Sequence, residues 1–143
     1  GEKDAQQLWL VQRMAQDLDL DLEVFGCPTV REEDGLAFSS RNAFLSPEQR
    51  QAAPVVVRAL RACRSAFQSE VRDVAQLERA MHDLLRAEPT ASIEYADVVD
   101  DRTFRPADSE QPGPWRAVAA VRIGDTRLID NLALGDARDA VTA

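Results

Sequence analysis

Apolar residues recur at helical spacing near the start of the chain. Leu8, Val11, Met14, Ala15 and Leu18 share one stripe, which predicts a helix over 4–18 with Asp4 as its N-terminal cap. Leu22, Val24 and Phe25 then predict a short strand ending near Gly26 and Pro28. A helix that runs at once into a short apolar strand is the back half of a βα repeat, the unit of parallel sheets. One strand cannot make such a sheet, so this reading expects partner strands before residue 1. The Gly at position 1, where a chain start would carry Met, agrees with it.

The middle of the chain opens with a charged turn, Arg31-Glu32-Glu33-Asp34-Gly35, then Leu36-Ala37-Phe38 and the polar run Ser39-Ser40-Arg41-Asn42. Gly35 and the charges around it suggest light packing, and hence a 31–42 loop able to move. Ser46-Pro47-Glu48-Gln49 is a helix start: a Ser cap, Pro in the first turn and Gln three after the Ser. The helix it opens carries Ala52, Val56, Ala59, Leu60, Cys63 and Phe67 on one face. A second helix over about 73–87 shows Val74, Leu77, Met81, Leu84 and Leu85 and stops before Pro89. The two are expected to pair as an antiparallel hairpin.

Beyond residue 90 the period changes to that of strands. Ile93 to Val99, Trp115 to Ile123 and Thr126 to Leu132 read as three strands, the last two joined at Gly124-Asp125 and the first followed by a polar loop over 100–114. A three-stranded antiparallel sheet covered by the helix hairpin is the expected architecture. Residues 135–143, small and charged, are expected to fray.

Charge narrows the partners. Among 143 residues, 25 acids against 17 Lys and Arg give a formal charge of −8, with a pI near 4.6. That balance argues against a nucleic-acid footprint and an anionic membrane surface. No apolar run approaches the roughly 20 residues of a membrane helix, and residues 1–20 do not read as a signal peptide. Cys27 and Cys63 stand alone, without a C-x-x-C pair or histidine cluster, so they read as small buried hydrophobes rather than metal ligands. His82, the single histidine, lies in the second helix with nothing beside it to orient a general base. Chemistry in this chain must run on Lys, Arg, Ser, carboxylates and backbone amides.

Two clusters carry such groups. Gly1-Glu2-Lys3-Asp4 precedes Gln7, and the spacing lets Lys3, Asp4 and Gln7 share a face at a helix start, where free N–H groups favour phosphate or carboxylate. A solvated first turn with no ligand has the same spacing. Ser39-Ser40-Arg41-Asn42 places two hydroxyls, a guanidinium and exposed amides in one loop, which suits an anion. A polar connection with local serine turns would look alike.

Taken in order, Gly1-Glu2-Lys3-Asp4-x-Gln6-Gln7-Leu8, Pro28-Thr29-Val30-Arg31-Glu32-x-Asp34-Gly35-Leu36-Ala37 and Ser39-Ser40-Arg41-Asn42-x-x-Leu45-Ser46 resemble pantothenate synthetases. Thr126-Arg127-Leu128-Ile129-Asp130-Asn131 is similar to the C-terminal strand of that family, and the match runs from residue 1 to about 134. The resemblance implies an α/β family member, with residues 1–30 the end of a Rossmann-like nucleotide-binding domain and 31–143 an α+β lid domain. It implies an ATP-dependent ligase joining pantoate to β-alanine through a pantoyl adenylate, with AMP and pyrophosphate released. By the same resemblance Gly1, Glu2, Lys3 and Asp4 lie along ATP, Lys3 at the phosphates and Asp4 near the ribose. Gln7 binds pantoate, Val30 meets the adenine through its backbone, and Phe38, Ser39, Ser40 and Arg41 close over the triphosphate. Mg²⁺ accompanies ATP, and family members are cytoplasmic homodimers.

Departures from the family pattern bear on activity. The family's histidine motif and one pantoate-binding glutamine have no counterpart here, so the chain is expected to hold about half an active site and to be inactive alone. Ala5 replaces a usual Tyr, and Phe38 a usual Met or Leu. Two other readings fit the residues: a non-catalytic α+β interaction module, and a related nucleotidyltransferase that adenylylates another carboxylic acid.

Overall fold

The computed structural model describes residues 1–135, so the frayed tail expected over 135–143 lies, apart from Gly135, outside the described residues. Helix α1, Ala5–Asp17, starts where expected, with the Asp4 carboxylate accepting the Gln7 N–H. Its stripe is not a core face here: only Ala15 is buried, while Val11, Met14 and Leu18 stand exposed. Leu22, Val24 and Phe25 do not form the expected strand. A strand needs a neighbour to take its N–H and C=O groups, and none of the described residues pairs with this stretch.

Ser46 opens α2, Pro47–Ala52, by a complete capping box: Ser46 Oγ takes the Gln49 N–H and Gln49 Oε1 the Ser46 N–H. The single helix expected from there is two. Pro54 has no N–H to continue the ladder, so α2 ends and α3 runs from Val55 to Gln68 with Pro54 at its entry. The apolar stripe continues across the break. Helix α4, Val74–Arg86, is capped by Asp73 and packs against α3 as the expected hairpin.

Strands β1 (Ala91–Asp100), β2 (Trp115–Ile123) and β3 (Thr126–Ala133) form an antiparallel sheet in the order β1-β2-β3. The β2–β3 turn passes through Gly124 at φ 59°. An irregularity between Ile93 and Tyr95 shifts the β1 register, so inward positions change from Ala91 and Ile93 to Ala96 and Val98. The core lies between the sheet and α3–α4, around Leu60, Leu77, Met81, Leu85, Trp115, Val121 and Ile123. Residues 1–17 lie against the opposite face of the sheet, where the Trp9 ring lies tilted beside Phe104 and its indole N–H donates to the Arg102 carbonyl at 2.9 Å.

Candidate functional site

Residues 1–4 are held from both sides. The Glu2 N–H donates to the Cys27 carbonyl at 2.8 Å, and Asn131 Nδ2 donates to the carbonyls of Glu2 and Lys3 at 2.9 and 3.0 Å. The Lys3 side chain then crosses to the middle of the chain and donates to the Phe38 carbonyl at 3.1 Å. That bond joins the two clusters singled out in the sequence.

The second cluster hangs from a small hairpin. Arg31 and Ala37 form a bridge, Phe38 N–H donates to the Val30 carbonyl at 2.8 Å, and Gly35 turns the chain at φ 89°. This segment is anchored, contrary to the light packing expected. Gly35, Leu36 and Ala37 are buried, Asp34 pairs with Arg50, and Arg31 makes a bidentate pair with Asp130 at 2.7 and 2.9 Å. Apolar Leu36 and Ala37 are drawn under the sheet edge, which outweighs the charged turn beside them. Past the hairpin, Ser39 Oγ accepts the Arg41 N–H at 3.2 Å and opens a 3-10 helix, Ser40–Phe44. Asn42 ties it back to the Ala37 carbonyl.

The structure therefore brings Lys3, Phe38 and the Ser39–Arg41 turn together. Ser40 and Arg41 are exposed, and no carboxylate among the described residues bonds the Arg41 guanidinium. Burial pulls the Lys3 pKa below its ordinary value and the nearby Arg41 charge adds to that, against the opposing pull of Asp130 and Asp4. Two neighbouring cations, neither of them ion-paired among the described residues, suit a polyanionic ligand. Gln7 lies one turn into α1 with an exposed side chain. Gly1 is exposed beside the Cys27 carbonyl, and Val30 is exposed with its carbonyl already taken by Phe38.

His82 is remote from this arrangement; its Nε2 meets the Ala96 carbonyl at 3.0 Å. Among the described residues no group of three or more His, Cys, Asp or Glu could hold a metal ion. Beside Lys3 and Asp4 a cavity of about 270 Å³ opens against Tyr95, Val118 and Ile129 on the sheet. Neither it nor the Arg31–Asp130 pair was foreseen. Asp130 did carry a signal, since it interrupts the inward series Leu128, Leu132 and Leu134 with a charge.

The pantoate-beta-alanine ligase family model matches residues 1–133. The pantothenate synthetase of Rubrobacter xylanophilus is 52% identical over 134 residues, which are 94% of this chain and 46% of that protein. That of Geobacter sulfurreducens is 45% identical over 136 residues, covering 95% and 48%. The crystal structure of pantothenate synthetase from Thermus thermophilus superposes with a TM-score of 0.87 at 48% identity, over 94% of this chain and 48% of that one. The Francisella tularensis ligase, crystallised with βγ-ATP and β-alanine, matches at a TM-score of 0.62 and 25% identity, over 95% and 42%. The chain thus spans about half the length of the curated relatives it matches.

Proposed function

The chain belongs to the pantoate–β-alanine ligase family, and from that premise we propose that it supplies one half of a site that condenses pantoate with β-alanine using ATP. A pantoate carboxylate oxygen attacks the α-phosphorus, the bond to the β-phosphate oxygen breaks and pyrophosphate leaves. The β-alanine amine then attacks the acyl carbon of the pantoyl adenylate. A C–N bond forms, the C–O bond to AMP breaks, and the amine proton passes to solvent.

The observation that carries this reading is the Lys3–Phe38 hydrogen bond. It sets an ammonium and the Arg41 guanidinium, from segments far apart in sequence, where one triphosphate could meet both. Adenylation builds charge on the α-phosphate and on the departing pyrophosphate, and fixed cations stabilise it without reorganising water. In this reading Lys3 and Arg41 bind the phosphates, with the Ser39 and Ser40 hydroxyls beside them. Gly1, Glu2 and Asp4 border the nucleotide, Val30 and Phe38 flank it, and Gln7 reaches pantoate. The second step needs positioning more than acid–base help, because the acyl adenylate is already activated. Mg²⁺ enters with ATP as substrate; this chain offers it no ligand cage of its own among the described residues.

Residues 1–30 are then the end of a Rossmann-like domain and 31–143 the lid. The exposed Leu10, Val11, Met14, Leu18, Leu22 and Phe25, all in the first stretch, support that division. In this reading the working protein is a cytoplasmic homodimer, as the family resemblance implies. The test joins this chain to the part of the Thermus thermophilus protein that it does not cover. Lys3→Ala and Arg41→Ala in that joined enzyme are each expected to slow AMP release by roughly 10²–10³. Near-normal turnover in either variant overturns the role given to that residue.

A further inference from the structure

Among the described residues strand β3 is an edge strand, with β2 on one side only. Successive side chains of a strand leave on opposite faces. Leu128 and Leu132 belong to the core under the helices, so Asp130, in step with them, faces that side. Asn131 pairs with Val118, outside the core, and with Ile129 faces the other way, while the cavity beside Lys3 is bordered by all three residues 129–131. Both polar neighbours are buried, at 4% and 6% exposure, and both are fully bonded.

Each holds a different segment. Asp130 takes the Arg31 guanidinium in two bonds, and Arg31 also donates to the Gly35 carbonyl, which fixes the hairpin leading into Ser39–Arg41. Asn131 Oδ1 accepts from Arg116 Nη1 at 2.6 Å, and Arg116 is itself held by Asp101. An arginine can only donate, so the amide oxygen must face it and the Nδ2 donors must face the Glu2 and Lys3 carbonyls. Burying a carboxylate and an amide side by side is unfavourable unless both are satisfied, and a hydrophobic pair would fill an edge strand at less cost. The segments they hold are the two that carry Lys3 and Arg41.

We propose that Asp130 and Asn131 are positioning residues: with one side chain on each face, strand β3 registers the Lys3 segment against the Phe38–Arg41 segment, so that both cations reach one anionic ligand. The ligand's identity rests on the ligase reading above; the registration does not.

Lys3 is the only lysine of the chain, so a ¹³C-lysine label reports that side chain alone. In Asn131→Asp the Arg116 partner oxygen is kept, while the donors to Glu2 and Lys3 are replaced by a charged oxygen that those carbonyls repel; Asn131→Ala loses both ends without adding a charge. The order parameter of the Lys3 ε-carbon is expected to fall toward that of a free side chain in both variants of the 143-residue chain. An order parameter unchanged in both would overturn the proposal. In the joined enzyme, Asn131→Asp is expected to raise the KM for ATP about tenfold, and to add nothing once Lys3→Ala is present. Effects that multiply in the double variant would mean that Asn131 acts on the fold and not through Lys3. Should Asn131→Asp not fold, Asp130→Asn against Arg41→Ala gives the same cycle from the other face. A joined enzyme without turnover would count against the ligase reading, and the label would still decide the registration.

Discussion

At the residue scale, environment separates groups of one chemical type. Cys63 is sealed between α3 and the sheet, and burial pushes its thiol up to about 12, whereas Cys27, contrary to the burial expected of both, is exposed beside Glu2 in a stretch that packs against no core. A thiol reagent near pH 8 is expected to label one cysteine per folded chain, at Cys27, and two only after denaturation. Rapid labelling of Cys63 in the folded protein would contradict the packing described. Lysine and arginine divide in the same way. Lys3 is half-buried and its pKa is lowered, mainly by desolvation, while Arg41 remains in solvent. Removing the Asp130 charge takes away the largest influence that raises the Lys3 value, so Asp130→Asn is expected to lower that pKa further. Titrating the same ¹³C-lysine signal checks the direction.

At the element scale, the capping residues were legible and the long-range anchors were not. Asp4 and Ser46 accept the helix N–H groups that their local sequence suggests, because a cap and its partner are three residues apart, and Asp73, not singled out as a cap, does the same for α4. The strand expected at Leu22–Phe25 fails because a strand is defined by a neighbour, which local alternation does not supply. The helix break at Pro54 was hidden by an apolar stripe that runs on across it. Arg31 to Asp130 and Asn131 to Glu2 join positions 99 and 129 residues apart, and no periodicity reports such pairs. The hairpin that the Arg31–Asp130 pair anchors depends on Gly35. At φ 89° any side chain is strained, and a Cβ would lie 3.0 Å from Arg61 Nη2. Gly35→Ala is expected to cost about 1–2 kcal/mol in denaturant unfolding. A variant as stable as the parent would mean that the hairpin turns elsewhere.

At the scale of the whole molecule, arginine partners of three little-buried carboxylates oppose acid, whereas at Asp130 burial outweighs Arg31 and raises the pKa. Arg50 beside Asp34 and Arg102 beside Asp100 hold those carboxyls below their ordinary 3.8, and Arg127 and Arg122 hold Glu94 below 4.5. Each binds its proton more weakly folded than unfolded. Their contribution is therefore complete above those ordinary values and lost as pH falls through the lower folded ones. Thermal unfolding is expected to show a Tm that is level near neutrality and falls below about pH 4, with a shallower fall in Asp34→Asn. The other whole-molecule feature is asymmetry. Core packing is dense between the sheet and α3–α4, yet Leu10, Val11, Met14, Leu18, Leu20, Leu22 and Phe25 are exposed, which is the surface that the proposed half-site reading leaves for the rest of a ligase to cover.

The central claim, a ligase half-site built around Lys3 and Arg41, is tested most directly by AMP release from ATP. It is measured for this chain alone and for the chain joined to the complementary part of the Thermus thermophilus enzyme, with pantoate and β-alanine added singly and together. The account predicts sustained AMP release only from the joined enzyme and only with both substrates. Equal release without pantoate or without β-alanine, or none under any combination, would contradict it.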